Sequence, residues 1–317
     1  LPSQTGPESH PETMPSRRSA GAATVVEPAA SAAAEQPVTS GRTVDRSAHL
    51  GAGLRRLAKS VGAMWLLVVV LVGWEIYGRL NDSVFFPPLS KVLQHFGTMW
   101  LSSDASGLYL SELFWDQVTM SLSRFARGWC LAVVVGIGVG VLLGRSRVAA
   151  RMYNPVVRFF TSIPNTVLLP IAVQIFGITD GMNIFLIFLG SVWVIVINTA
   201  DGVAGVDPMW LRSARSLRLA KGTLYRRVIV PAAMPQVMAG LRVSLGIGLI
   251  LMVISELYAT TAGVGYQIVV AQSSFQYLSM WSAFVLIGLI GIILNAVFSV
   301  VERRVLRWQR RAGLAGL

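Results

Sequence analysis

The stretch LSMWSAFVLIGLIGIILNAVFSVV, Leu278 to Val301, decides the class of fold. It carries no charge, and about 20 apolar residues in a helix suffice to cross the hydrocarbon core of a bilayer. It closes a longer charge-free run that starts at Leu257. Toward the N-terminus from it lie five more apolar runs. Val237–Leu257 holds only Arg242 and Glu256 as charges. Gly181–Ala200, Phe159–Thr179 and Gly128–Gly144 hold none, and Val61–Tyr77 holds Glu75 alone. Phe159–Thr179 contains Pro164 and Pro170, which are expected to kink its helix. The Gly128–Gly144 helix is expected to begin earlier, near Val118. In lipid each backbone N–H and C=O must pair within its own segment or in a closed barrel. Short alternating strands are not seen, so the expectation is an all-α integral membrane protein with six transmembrane helices.

Composition agrees. Of 317 residues 54% are hydrophobic and 13% charged, against about 25% charged in a soluble domain. The net charge is +12, an excess that suits either a nucleic acid or a membrane. Its distribution decides between them. Seven Lys/Arg precede the first run, and the loops after the second, fourth and sixth runs hold four, six and five. The loop after the first run, about 79–116, has only Arg79 and Lys91, and those after the third and fifth have none. The positive-inside rule then puts both termini of this multi-pass protein in the cytoplasm. Topology accounts for the basic excess, and a nucleic-acid partner loses its support.

Chemistry-bearing residues are scarce. Cys130 is the single cysteine, and His10, His49 and His95 are far apart, so neither a metal site nor a histidine-dependent triad is expected. Residues 1–60 hold six of the 14 prolines and no apolar periodicity, and read as a disordered cytoplasmic tail. The tail lacks the early apolar stretch of a secretory signal. It ends in a basic lead-in to the membrane (Arg55, Arg56, Lys59). Within that lead-in, Gly53–Ser60 nearly matches a phosphate-binding loop, but Ala58 replaces its second glycine and no strand precedes it. The chain is therefore expected to bind no nucleotide. Gly136, Gly140 and Gly144 recur every fourth residue, a helix-packing pattern.

The longest internal basic loop, 207–231, is the informative one. Asp207-Pro208 is a good N-cap and first-turn pair, and Gly222 suits a helix stop. Trp210, Ala214 and Leu217 recur at helical spacing on one apolar face, with Arg212, Arg215 and Arg218 beside it. Thr223 is expected to cap a second short helix that Pro231 and Pro235 interrupt. Composition alone leaves two uses open, an interfacial helix lying on anionic lipid or a docking element.

This loop resembles the EAA coupling loop of binding-protein-dependent ABC importer permeases, the MetI-like type. The family pattern, E-A-A, three residues, G, nine residues, I, one residue, L-P, falls on Arg212, Ser213, Ala214, Arg218, Ile229 and Pro231. Phe86–Lys91, Ser121–Gly128 and Ser255–Tyr266, with its Gly-Val-Gly-Tyr end, resemble the aliphatic sulfonate/taurine/nitrate branch. The resemblance covers about 65–311 and implies a transmembrane domain over 61–311, followed by a short tail, 312–317. It further implies a bacterial cytoplasmic (inner) membrane, a second permease copy, cytoplasmic ATPase subunits that hold ATP and Mg, and an extracytoplasmic solute-binding protein. In the family the loop helix sits in a cleft of the ATPase. Asp207, Trp210, Arg212, Ser213, Ala214, Arg215, Leu217, Arg218, Gly222, Tyr225 and Pro231 would then carry the coupling. Two departures stand out: Arg212 replaces the motif Glu, and Arg218 the motif Gly.

Polar residues inside spans are candidates for the translocation path. They are Arg124, Arg127, Asn165, Gln174, Asn198, Thr199, Arg242 and Glu256. Interhelical hydrogen bonds would explain them as well, and for Arg124 and Arg127 so would a pair with Glu256 or a lipid headgroup. Two rivals remain at this stage. A stand-alone channel or secondary transporter would not need the loop helices, and an intramembrane enzyme lacks a spanning histidine or paired carboxylates.

Overall fold

A computed structural model describes residues 65–81, 83–102 and 109–308. The 1–60 tail, the Gly53–Ser60 segment and the 312–317 tail lie outside the described residues. Eleven helical segments succeed one another among the described residues: α1 (65–80), α2 (Leu89–Trp100), α3 (Glu112–Arg145), α4 (Arg147–Ser162), α5 (Leu169–Phe176), α6 (Asp180–Ala204), α7 (Pro208–Ser216), α8 (Lys221–Leu224), α9 (Val230–Tyr258), α10 (Val264–Ser273) and α11 (Tyr277–Val305).

Among the described residues four helical stretches are long and apolar enough to cross a membrane: α3, α6, α8–α9 as one 38-residue helix, and α11. The third apolar run is where expectation and structure part. Pro164 and Pro170 do not kink one helix. They divide it into α4 and α5, joined by a 3₁₀ turn at Asn165–Leu168 and bent by 85°. Pro164, without an N–H, stands before the turn, and Pro170 starts α5, where no donor is needed. Arg147, Arg151 and Arg158, expected in a loop, belong to α4. Counting the bent pair as one span gives five. The run expected at Val61–Tyr77 is helical over 65–80, and 61–64 lie outside the described residues.

The core is a three-helix contact of α3, α6 and α9, and glycines set its register. A Cβ on Gly128 would meet Ile187, on Gly136 Ile195, on Gly140 Thr199, and on Gly144 Ala200 and Val203. The constant offset makes α3 and α6 parallel, with backbones so close that only hydrogen fits between them. Parallel neighbours need a return crossing between them, and the α4–α5 pair makes it over a length of about 37 Å, that of the 25-residue α6. On its other face α6 runs antiparallel to α9, since Gly202 meets Ala233, Asn198 meets Gly240 and Gly190 meets Leu251. Phe125, Ile187, Ile195, Leu241, Leu245 and Met252 fill the space between these helices. A second cluster, with Trp100, Val264, Ala283 and Leu286, joins α2, α10 and α11 at the far end of the bundle, where α6 begins. Residues 205–220 mark the opposite, loop end.

At the loop end the expected helix boundaries shift. α7 does start on Asp207, whose Oδ1 accepts the Met209 N–H at 2.7 Å. It stops at Ser216, with Leu217 as C-cap and Arg218 at φ +49°, so Gly222 is not the stop. Gly222 and Thr223 lie inside α8, which starts on Ala220 without a side-chain cap. Pro231 and Pro235 do not interrupt the helix that continues from α8 into α9. A π turn at Tyr225–Ile229 widens it, with the Val230 N–H reaching the Tyr225 carbonyl, just before the first proline ring. The wider turn relieves the clash that proline makes with the carbonyl four residues back.

Candidate functional site

Two constructions stand out, one at each end of the bundle. At the loop end, Ala214 is buried (4% exposed) against Val203, Val206, Leu224, Ile229 and Ala233, and so fastens α7 to the helix that continues into α9. Trp210 and Leu217, expected on the same face, turn outward and are 55% and 73% exposed. They form one wall of an open groove of about 550 Å³ whose floor is Val228, Pro231, Ala232 and Pro235 and whose far side is Trp308. Uncovered aromatic and aliphatic side chains in a groove mark an interaction surface more often than a free one. Arg212, Arg215, Arg218, Lys221, Arg226 and Arg227 are all exposed on this loop, and Arg227 lines the groove. Ser213 bonds back to the Met209 carbonyl at 3.0 Å, and Tyr225 lies half-buried beneath the Arg145 guanidinium. An apolar groove with one arginine in its lining can take an apolar ridge that carries a carboxylate.

At the far end a buried charge network ties four segments together. Arg124 of α3 is 5% exposed, and its Nε donates to Asp180 Oδ1 at 2.6 Å. One terminal nitrogen donates to Glu256 Oε1 at 3.2 Å and to the Ala262 carbonyl at 2.6 Å. Glu256 Oε2 also accepts from Ser121 Oγ at 2.8 Å and from the Gly265 N–H at 3.0 Å. Ser121 Oγ accepts the Val264 N–H, and Gln117 Oε1 the Gly263 N–H. The Gly-Val-Gly-Tyr end thus has a physical reason. Gly263 sits at φ +122°, and a Cβ there or on Gly265 would run into the Glu256 side chain. A carboxylate taken out of water has its oxygens filled by donors, the condition for burying it at acceptable cost.

The remaining polar candidates are scattered. Arg127 is exposed and reaches Ser123 and, at 3.8 Å, Asp180. Arg242 bonds Ser299 and Glu302 of α11, at 3.1 and 2.5 Å. Asn198 is half-buried and accepts from Gln236 at 3.0 Å. Thr199 is fully buried against the Gly140 gap, with its hydroxyl unbonded. Asn165 lies half-buried in the 3₁₀ turn, and Gln174 is exposed on α5. Sequence reasoning missed Asp180, Ser121, Gln236, Glu302 and Trp308. Asp180 had a visible signal, as the single acid in a turn flanked by charge-free runs; the others became partners only through helix packing.

A polytopic helical membrane protein with an exposed apolar groove at one end is the class these features define. The chain belongs to the family of binding-protein-dependent transport system inner membrane components, whose family model matches residues 132–311. A probable ABC transporter permease of Brucella abortus is 32% identical over 83% of this chain and 98% of its own length. A putative aliphatic sulfonates transport permease of Bacillus subtilis is 27% identical over 88% and 97%. Permeases named for bicarbonate, nitrate and taurine transport match as well. Among solved structures, an inward-facing MetNI methionine ABC transporter shares the fold, with a TM-score of 0.51, 20% identity and coverage of 60% of this chain and 94% of that one.

Proposed function

We propose that this chain is the membrane-spanning subunit of an ATP-driven importer for a small anionic solute of the sulfonate, taurine, nitrate or bicarbonate kind. Two copies would enclose the path. A binding protein would deliver the solute on the extracytoplasmic side, and cytoplasmic ATPase subunits, which hold ATP and Mg, would drive the cycle. The relatives named for bicarbonate, nitrate, taurine and sulfonates support the anionic class. Six spans with both termini in the cytoplasm, taking 61–80 as the first, fit the charge distribution and put the 207–231 loop on the ATPase side.

The observation that carries the reading is the groove. Among the described residues Trp210 and Leu217 are left uncovered, while Ala214 and Ile229 root the same loop in the helix bundle. A pull on the groove is therefore transmitted to α9 and, through its contact with α6, to the core. Arg212 stands where the family has its acid, and Arg227 lines the groove, so the matching ATPase is expected to present an acidic or neutral partner. Arg124 and Glu256 satisfy one another, which leaves Asn165, Gln174, Asn198 and Gln236 as the amides for a solute path, the last two bonded to each other.

The test is co-purification with the ATPase, together with ATP hydrolysis in nanodiscs. Trp210→Ala removes an anchor worth about 1.5–3 kcal/mol if buried, and is expected to weaken association or to separate hydrolysis from transport. Arg212→Glu is expected to weaken association by about 2–5 kcal/mol if its partner is a buried carboxylate. Wild-type behaviour of Trp210→Ala in both assays would mean that the loop lies on lipid and would remove the mechanical basis of this reading.

A further inference from the structure

Residues 83–88, α2 and 275–279 enclose another cavity, of about 410 Å³, at the far end. Lys91 and His95 line it, one helical turn apart on α2 and so on one face. Ser279 adds its Oγ, 3.0 Å from His95 Nε2. Pro87, Pro88 and the outward-facing Val84 and Phe275, 70% and 75% exposed, supply apolar lining, with Ser83 and Gln276 beside them. Among the described residues Lys91 enters no ion pair. Arg79, the other cation of this region, is held by Glu75, and the second Glu75 oxygen takes the Ser90 N–H at 2.9 Å. The α2 N-terminus is thus already capped, and the attraction for an anion comes from Lys91.

Two further observations fix the depth of this cavity. α11 runs 29 residues from Tyr277, on the cavity wall, to Val305, close to the loop-end groove, about 43 Å at 1.5 Å per residue. A bilayer with its headgroups is about 40–45 Å thick. Around the cavity, Trp74, Tyr77, Phe86 and Trp281 touch in a chain of ring contacts 5.0–5.5 Å apart. The Trp74 and Trp281 indole N–H groups donate to the Pro87 and Phe85 carbonyls, each at 3.0 Å. Aromatic clusters with a bonded polar edge gather where hydrocarbon meets headgroups.

A cation at headgroup depth, with hydrogen-bonding side chains beside it and exposed apolar side chains in its lining, matches a phosphodiester that carries acyl chains. We propose that this cavity binds the headgroup of an anionic phospholipid. Lys91 meets the phosphate charge, His95 and Ser279 supply a further N–H or O–H, and Val84 and Phe275 lie against the first methylenes. The inference rests on the chain spanning a membrane and is independent of what it transports.

The test is native mass spectrometry of the full-length chain in detergent, with dioleoylphosphatidylglycerol or dioleoylphosphatidylcholine at equal concentration. The wild type is expected to hold one more phosphatidylglycerol than Lys91→Gln does. Affinity at that site should fall about fivefold, the factor that about 1 kcal/mol per basic residue gives. Ser279→Ala should lose less, and phosphatidylcholine should not distinguish the variants. Equal phosphatidylglycerol retention by wild type and Lys91→Gln would overturn the proposal. So would displacement of that lipid by inorganic phosphate or by poly-glutamate, which would assign the cavity to a soluble anion or to an acidic protein surface. Asp82, beside Ser83, lies outside the described residues. If lipid-free thermal stability falls equally in Asp82→Asn and Lys91→Gln, Lys91 has an internal partner, and the lipid assignment fails.

Discussion

Arg124 and Glu256 meet inside the far end of the bundle at 3.2 Å, with side chains only 6% and 0% exposed, across 132 residues of sequence. The pair joins α3 to α9, and its remaining bonds reach α6 through Asp180 and the 262–265 turn through Ala262 and Gly265. Four segments therefore share one set of charges, at the place where the α3–α6–α9 core adjoins the α2–α10–α11 cluster.

Removing one partner should cost far more than removing both. Arg124→Met leaves the Glu256 carboxylate buried beside apolar carbon, and a loss of about 3–5 kcal/mol is expected. Arg124→Met combined with Glu256→Gln should recover a good part of it. Thermal unfolding of the solubilised chain reads both, and equal losses in the single and double variants would show that packing, not charge, is what matters there.

Glycines on α3 give a paired test of the helix contact. At Gly140 a Cβ would overlap Thr199, whereas at Gly138 nothing lies within 4 Å. Gly140→Val is expected to lose about 1–3 kcal/mol through overpacking. Gly138→Ala should be neutral or stabilising, since alanine is favoured over glycine in a helix by about 1 kcal/mol. Melting temperatures that move together would contradict the parallel α3–α6 register.

Arg218 occupies the left-handed region, φ +49°, at the position where the resembling family has glycine. A side chain there costs about 1–2 kcal/mol. Arg218→Gly should therefore raise the melting temperature, or at least not lower it, and should remove one exposed cation from the 207–231 loop. A clear drop in stability would mean that the guanidinium makes a compensating contact.

Orientation can be read by labelling in intact cells after Cys130→Ser removes the native thiol, which is exposed on α3. Gln272→Cys at the far end should react with an impermeant maleimide from outside, and Ser216→Cys at the loop end should not. Labelling of position 216 with protection of 272 would invert the proposed topology.

Length and charge alone determined that this is a helical membrane protein, because a charge-free run such as 278–301 has no favourable place in water and no backbone solution in lipid except a helix. Glycine spacing and capping chemistry also announced the packing use of Gly136, Gly140 and Gly144 and the start of α7 on Asp207, though the residues that pack on those glycines stand on another helix. The division of the third run was not legible. Pro164 and Pro170 announce a disturbance, but only the parallel docking of α6 on α3 makes the chain turn there by 85° and return along the bundle. Nor was the fate of the polar residues legible. Whether Arg124 faces lipid, solute or Glu256, and whether Trp210 is covered while Ala214 is, depends on contacts between residues dozens to more than a hundred positions apart. Periodicity assigns a side chain to a face of its helix; what stands opposite that face is decided by the close approach of whole helices.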